Sequence, residues 1–181
     1  MSKITFVTGN AKKAEYLAKF LGFPVNHEKL DLDEIQSLDL REIVEHKVKQ
    51  AFSIIKSPVI VEDVALTFNS LGKLPGPFIK FFLQEMSEQK ICDLVRDQDR
   101  SAVASCVFGY FDGTKLELFE GSLGGSIPES PKGENGYGWD KVFIPERYTQ
   151  TRAELSPEDD EKTYLQIKPF AKLKEFLISL Q

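Results

Sequence analysis

Apolar positions recur along this chain in two rhythms. Ile4–Val7 is a short unbroken run that reads as a buried strand. Ala11–Leu21 carries helical spacing, with Gly22 as its stop and Pro24 beyond. Leu30–Ile35 predicts a second strand entering an acidic turn. Asp39 then reads as the N-cap of a long helix, with Glu42 completing a capping box. Leu40, Ile43, Val44, Val48, Ala51, Phe52 and Ile55 keep that helix on one apolar face. Pro58 restarts the chain, and Val59–Val61 predicts a buried strand ending in Glu62 and Asp63.

Leu74-Pro75-Gly76-Pro77 predicts a rigid turn feeding a helix over Phe78–Met86, followed by a polar helix over Glu88–Arg96. Ala102–Phe111 and Lys115–Glu120 read as a hairpin around Asp112-Gly113, and Gly121–Tyr137 reads as glycine-rich loop. Ser156-Pro157-Glu158-Asp159 has the order of a helix start: cap, proline, then acids in the first turn. The last helix sets Phe170, Leu173, Phe176, Leu177 and Leu180 on one face. No internal repeat interrupts this order. Strands alternating with helices, then a β-rich middle, predict an α/β fold with a mixed central sheet and flanking helices. The 181 residues suit one domain, 1–181, or two intimate lobes.

Composition narrows the partners. A net charge of −5 argues against general nucleic-acid binding. The two cysteines, Cys92 and Cys106, form no CxxC pair, which argues for a reducing compartment and against structural zinc. The opening MSKITFV is too short an apolar run for a signal peptide, and nothing approaches a membrane span. The expected location is cytoplasmic.

Four stretches carry candidate chemistry. Thr8-Gly9-Asn10 hands a strand to a helix, so unpaired backbone N–H groups at the helix start face whatever lies above the strand end. Phosphate suits such a place, and Lys13 leans back toward it. A helix cap with solvated lysines accounts for the same residues. Glu62-Asp63 after a buried strand puts two carboxylates on opposite faces, and carboxylate-held Mg²⁺ is a common device of phosphate chemistry; a solvated strand end is the plainer alternative. Lys80 falls in the first turn of a helix, where a cation opposes the dipole and suggests a bound anion. Trp139, the only tryptophan, sits in the loop Gly136-Tyr137-Gly138-Trp139-Asp140, where an aromatic ring can stack on a nucleobase or simply join the core.

In this order and spacing the stretches resemble the inosine/xanthosine triphosphate pyrophosphatases. The resemblance runs from Lys3 to about Phe176. It rests on Thr8-Gly9-Asn10-Ala11-Lys12-Lys13, Asp31-Leu32-Asp33-Glu34-Ile35-Gln36, Val61-Glu62-Asp63, Leu74-Pro75-Gly76-Pro77-Phe78-Ile79-Lys80 and Gly138-Trp139-Asp140. It implies an elongated mixed sheet with two lobes around a nucleotide cleft, a homodimer, and Mg²⁺-dependent cleavage of ITP, dITP and XTP to monophosphate and pyrophosphate. By resemblance, Thr8, Gly9, Asn10 and Lys13 bind the triphosphate, and Lys47 and Lys80 face phosphate. Glu34 and Asp63 hold metal, with Asp63 also activating water. Tyr137, Gly138, Trp139 and Asp140 flank the base.

The chain departs from that family in two places. Tyr16 stands where a glutamate is usual. The base-reading Lys-Asn and Ser-His-Arg are also missing. Aligned without gaps, Asp160 replaces the lysine and Tyr164-Leu165-Gln166 replace Ser-His-Arg. With a short gap Lys162 recovers the lysine and Lys168 stands for the arginine. The expectation is weaker discrimination among bases or a shifted base preference. A nucleotide-binding protein of the same fold that has lost catalysis is the alternative, and a generic mononucleotide or phosphosugar α/β protein is a third.

Overall fold

The computed structural model describes residues 4–22 and 24–180. Lys3, where the resemblance begins, lies outside them, as does the side chain of Lys12. Strands β1 (Thr5–Val7), β2 (Asn26–Glu28), β3 (Val59–Phe68), β4 (Pro75–Gly76), β5 (Ser101–Phe111), β6 (Leu116–Ser126) and β7 (Ile144–Pro145) form one sheet in the order β2-β1-β3-β5-β6-β7, with β4 paired to β3. The sheet is mixed: β1 runs parallel to β2 and β3, whereas β3–β4 and β6–β7 are antiparallel. The helices are α1 (Ala11–Leu21), α2 (Leu40–Ile55), α3 (Ile79–Glu85), α4 (Glu88–Asp93), α5 (Pro157–Ile167) and α6 (Phe170–Ser179).

The chain forms two compact units. The first holds residues 1–63, 106–120 and 169–181, and the second holds 64–105 and 121–168. Strands β3, β5 and β6 each contribute residues to both. In the first unit Phe6, Leu17, Val44, Ile60 and Leu173 are buried, and Phe108 packs on Phe170 with ring centroids 5.3 Å apart. In the second, Leu66, Phe68, Ile91, Ile127 and Phe143 make the core.

Several expectations change. No strand forms over Leu30–Ile35; the second strand lies earlier, at Asn26–Glu28. It is an edge strand with a polar sequence, so hydrophobic alternation does not mark it. Segment 31–36 is fastened instead by side chains: Asp33 N–H donates to Gln50 Oε1 and Gln50 Nε2 donates to Asp33 Oδ2, both at 2.8 Å. Asp39 does cap α2, accepting from Arg41 N–H at 2.9 Å. Glu42, however, accepts from Ser37 Oγ at 2.7 Å rather than from the Asp39 backbone, whose N–H goes to Ser37 Oγ at 3.0 Å. Serine at 37 thus does the bridging assigned to a capping box.

Glu62 and Asp63 do not end their strand, because β3 continues to Phe68. They lie just past its parallel register with β1, which pairs Val7 with Val61. Gly121–Ser126 is strand rather than loop. Its glycines serve packing: a Cβ on Gly125 would strike the Ile144 carbonyl and the Phe143 ring, so glycine lets β7 approach β6. Leu180 follows the end of α6 and is exposed.

Candidate functional site

In the first unit, the Thr8–Asn10 turn lies at the carboxyl end of parallel strands, where open α/β sheets place their ligands. Thr8 is fixed by its N–H bond to Glu28 O at 3.0 Å and by His27 Nε2, 2.8 Å from Thr8 O. Thr8 Oγ1 accepts from Asn10 N–H at 3.1 Å, and Asn10 O accepts from Lys13 N–H at 3.1 Å, opening α1. The Ala11 and Lys12 N–H groups come before that first intrahelical bond, so the helix itself offers them no acceptor. A Cβ at Gly9 would meet only the end of Lys29, at 3.8 Å, so packing against the protein does not call for glycine there.

Three ion pairs, made by two lysines, lie near the turn. Lys13 Nζ lies 3.0 Å from Glu62 Oε1, and the Glu62 side chain is almost wholly buried. Lys47 Nζ lies 3.1 Å from Asp63 Oδ2 and 3.2 Å from Glu34 Oε1. The adjacent acids of β3 therefore engage lysines from different helices, α1 and α2, in keeping with alternating strand side chains. Burial works to lower the Lys47 pKa, but the charges of Asp63 and then Glu34, with the hydrogen bonds they accept, outweigh it and hold the ammonium above its ordinary value. Glu34 and Asp63, distant in sequence, thus converge on one positive centre.

In the second unit, the Gly136–Asp140 loop turns on itself. Asp140 Oδ2 accepts from Tyr137 N–H at 2.9 Å. Gly136 has φ 78°, and a Cβ there would collide with the Asp140 carboxylate. Tyr137 is exposed and Trp139 half-buried. The Trp139 Nε1–H is buried and has no hydrogen-bond acceptor among the described residues. Asp140 is buried, and its Oδ1 accepts from Arg152 Nη1 at 2.9 Å. Burial pushes the Asp140 carboxyl above its ordinary value; Arg152 and the Tyr137 N–H oppose that, and Asp160 adds to it.

The other expected residues are placed as follows. Lys80 is exposed in the first turn of α3, in the second unit. Lys162 is exposed on α5, paired with Glu158 at 2.9 Å and Asp159 at 3.2 Å, so it joins the acids of its own helix. Asp160 accepts from Arg152 Nη2 at 2.6 Å. Tyr164 is buried, with Arg152 Cζ 5.7 Å and Lys168 Nζ 5.5 Å from its ring centre, whereas Leu165 and Gln166 are exposed. Tyr16 is exposed on α1 and stacks on Phe20 at 6.2 Å.

Three residues of these groups are absent from the expected site. Glu62, almost wholly buried beside Asp63, is one of them and pairs with the partly exposed Lys13. Gln50 stands three residues after Lys47 on α2, a spacing that puts both on one helix face, and it holds the segment carrying Glu34. Arg152 joins the Trp139 loop to α5, and nothing in its sequence surroundings marks it.

Residues 4–176 match the Ham1 family. An inosine triphosphate pyrophosphatase of Scheffersomyces stipitis is 37% identical over 195 residues, covering 99% of this chain and 100% of that protein. Inosine triphosphate pyrophosphatase 2 of Trypanosoma cruzi is 44% identical over 177 residues, covering 95% of this chain and 90% of that one. Among solved structures, a HAM1 protein of Coxiella burnetii has the same fold, with a TM-score of 0.87 at 23% identity over 99% of this chain and 100% of that chain.

Proposed function

The chain belongs to the Ham1 family, and from that premise we propose that it hydrolyses nucleoside triphosphates to monophosphate and pyrophosphate. The observation that carries the reading is the convergence of Glu34, Asp63 and Lys47 in the unit whose parallel strands end at the Thr8–Asn10 turn. Backbone N–H groups of that turn, with Thr8, Asn10 and Lys13, bind the triphosphate. Gly9 keeps side-chain bulk away from it. Asp63 accepts the proton of the water that attacks the α-phosphorus, the bond to the bridging oxygen breaks, and pyrophosphate leaves.

The residues present fit Mg²⁺. Glu34 and Asp63 offer two carboxylates aimed at one point of positive charge, and Mg²⁺ is commonly held by one or two carboxylates completed by waters and substrate phosphates. Two carboxylates leave the ion's remaining ligands to water and the nucleotide's phosphates. When bound, it neutralises phosphate charge and stabilises the leaving pyrophosphate. Lys47 holds the same two carboxylates in place before the ion arrives.

The base is taken by Tyr137, Gly138 and Trp139. Tyr164 is tucked beneath cations, and Leu165 and Gln166 face solvent, so none of them copies a charged base reader. Discrimination of ITP over GTP and ATP is therefore reduced by about ten- to a hundredfold relative to a site with such a reader, the loss of one charged hydrogen bond. The family resemblance also carries a homodimer and a cytoplasmic location into the proposal. No helix among the described residues is long and apolar enough to cross a membrane.

A nucleotide panel tests the reading. With Mg²⁺, the protein should release pyrophosphate from ITP, XTP and their deoxy forms, with GTP and ATP not far behind. Asp63→Asn should lower kcat by about 10²–10⁴-fold with the fold intact. Pyrophosphate release from no nucleotide rejects the activity. A preference for ITP of about a thousandfold or more rejects the account of base reading alone.

A further inference from the structure

One side chain in the second unit is tied into more of the site than its position suggests. The Arg152 backbone is pinned by Arg152 N–H to Phe143 O at 3.0 Å. The residue before it is pinned too, Thr151 N–H donating to Glu154 Oε2 at 2.8 Å and Thr151 Oγ1 to Lys132 O at 2.9 Å. From that base the guanidinium donates in three directions: Nη1 to Asp140 Oδ1 at 2.9 Å, Nη2 to Asp160 Oδ1 at 2.6 Å, and Nε to Thr163 Oγ1 at 3.2 Å. The Arg152 and Asp140 side chains are each only 7% exposed, so water does not stand in for either. Asp140 spends its other oxygen on the Tyr137 N–H, closing the loop that carries Trp139. The chain of contacts therefore runs from α5, through Arg152 and Asp140, to the backbone of the aromatic loop. It also explains the acid at 160. Asp140 and Asp160 would otherwise be two acids facing each other; the planar fork of Arg152 binds both.

We propose that Arg152 is a positioning residue for nucleotide binding: by gripping Asp140, Asp160 and Thr163 together it fixes the Gly136–Asp140 loop, and thus how tightly any base is held against Trp139. This rests on the reading that the loop takes the base. Because the guanidinium is spent on Asp140, Asp160 and Thr163 and acts through the loop, its loss should act on KM for all nucleotides alike and leave kcat nearly untouched. A lysine keeps the charge but offers one ammonium in place of a fork, so it cannot hold both acids and the threonine.

The test uses Arg152→Lys, Asp160→Asn and Trp139→Ala in the full chain, with cooperative melting as the check on folding. Trp139 is the sole tryptophan, so intrinsic fluorescence reads the loop without nucleotide. Arg152→Lys should shift Trp139 emission and raise its quenching by acrylamide. It should also raise KM for ITP and GTP by about tenfold each, the scale of one lost charge-assisted hydrogen bond, with kcat within about threefold. A folded Arg152→Lys with unchanged emission and KM overturns the proposal, as does a fall in kcat at constant KM. If Trp139→Ala raises KM and Arg152→Lys does not, Arg152 has no positioning role. If Trp139→Ala leaves KM unchanged, the base-loop reading fails, and the proposal falls with it whatever the fluorescence shows. Should Arg152→Lys not fold, Asp160→Asn weakens the partly exposed outer link. A smaller change in the same direction then supports the proposal, and no change in emission or KM overturns it.

Discussion

At the scale of single residues, Lys47 in the first unit sits between Asp63 and Glu34. Its folded pKa is raised, because those acids outweigh the cost of burial. For a base raised on folding, the stabilisation is complete below the unfolded value, near 10.5, and disappears as pH climbs through the higher folded value. Lys47→Met should therefore cost about 1–2 kcal/mol at pH 8, discounted because Glu34 is half exposed. Urea unfolding at rising pH should show the gap between wild type and variant closing above about pH 10.5; a gap that stays constant to pH 12 rejects this account. Short motifs pick out Lys13, Glu34 and Asp63, and the fold brings the last two together on Lys47. The choice of partners was not legible in the sequence. Glu62 takes Lys13, and Gln50 takes Asp33, through tertiary distances that no spacing in the sequence encodes.

Among the elements, those with local signals were read well. Helix α5 starts at Ser156 as its cap, proline and acids require, with Ser156 Oγ accepting from Asp159 N–H at 3.2 Å. Helix α2 follows its apolar spacing from Leu40 to Ile55. Elements defined by what lies beside them were missed: the polar edge strand β2, and the glycine-bearing half of β6 that admits β7. Arg100 is a similar case. In sequence it is one charge in a polar stretch, Asp97-Gln98-Asp99-Arg100. In the fold it ties the end of α4 to the exit of β6, donating Nε to Ile127 O at 2.7 Å, Nη1 to Val95 O and Nη2 to Cys92 O, both at 3.1 Å, and Nη2 also to Pro128 O. Arg100→Met should destabilise the protein by about 2–4 kcal/mol, since it strands several part-buried carbonyls at once. Chemical denaturation measures this, and a loss below about 0.5 kcal/mol, the range of ordinary surface changes, rejects it.

At the scale of the whole molecule, the chain forms two compact units. Periodicity reports which face of an element is buried, not which other elements share its core, so a division falling inside β3, β5 and β6 leaves no mark in the sequence. The cysteines report on the two units separately. Cys106 lies in the first and Cys92 in the second, and both are fully buried. Burial pushes the Cys92 thiol up to about 11, against some opposition from Arg100, so the reactive thiolate is scarce at neutral pH even before access is considered. Native protein should consume no aromatic disulfide reagent within minutes at pH 8, and both thiols should react at once in denaturant. Raising the pH from 7 to 8 speeds an exposed thiol of ordinary pKa nearly tenfold, because the thiolate fraction rises by about that factor. In the native protein labelling waits on opening, so the slow rate should follow denaturant rather than thiolate fraction. Mass mapping of the labelled cysteine then names the unit that opened. Prompt labelling of either position in native protein means that its unit opens far more readily than the burial of its cysteine implies.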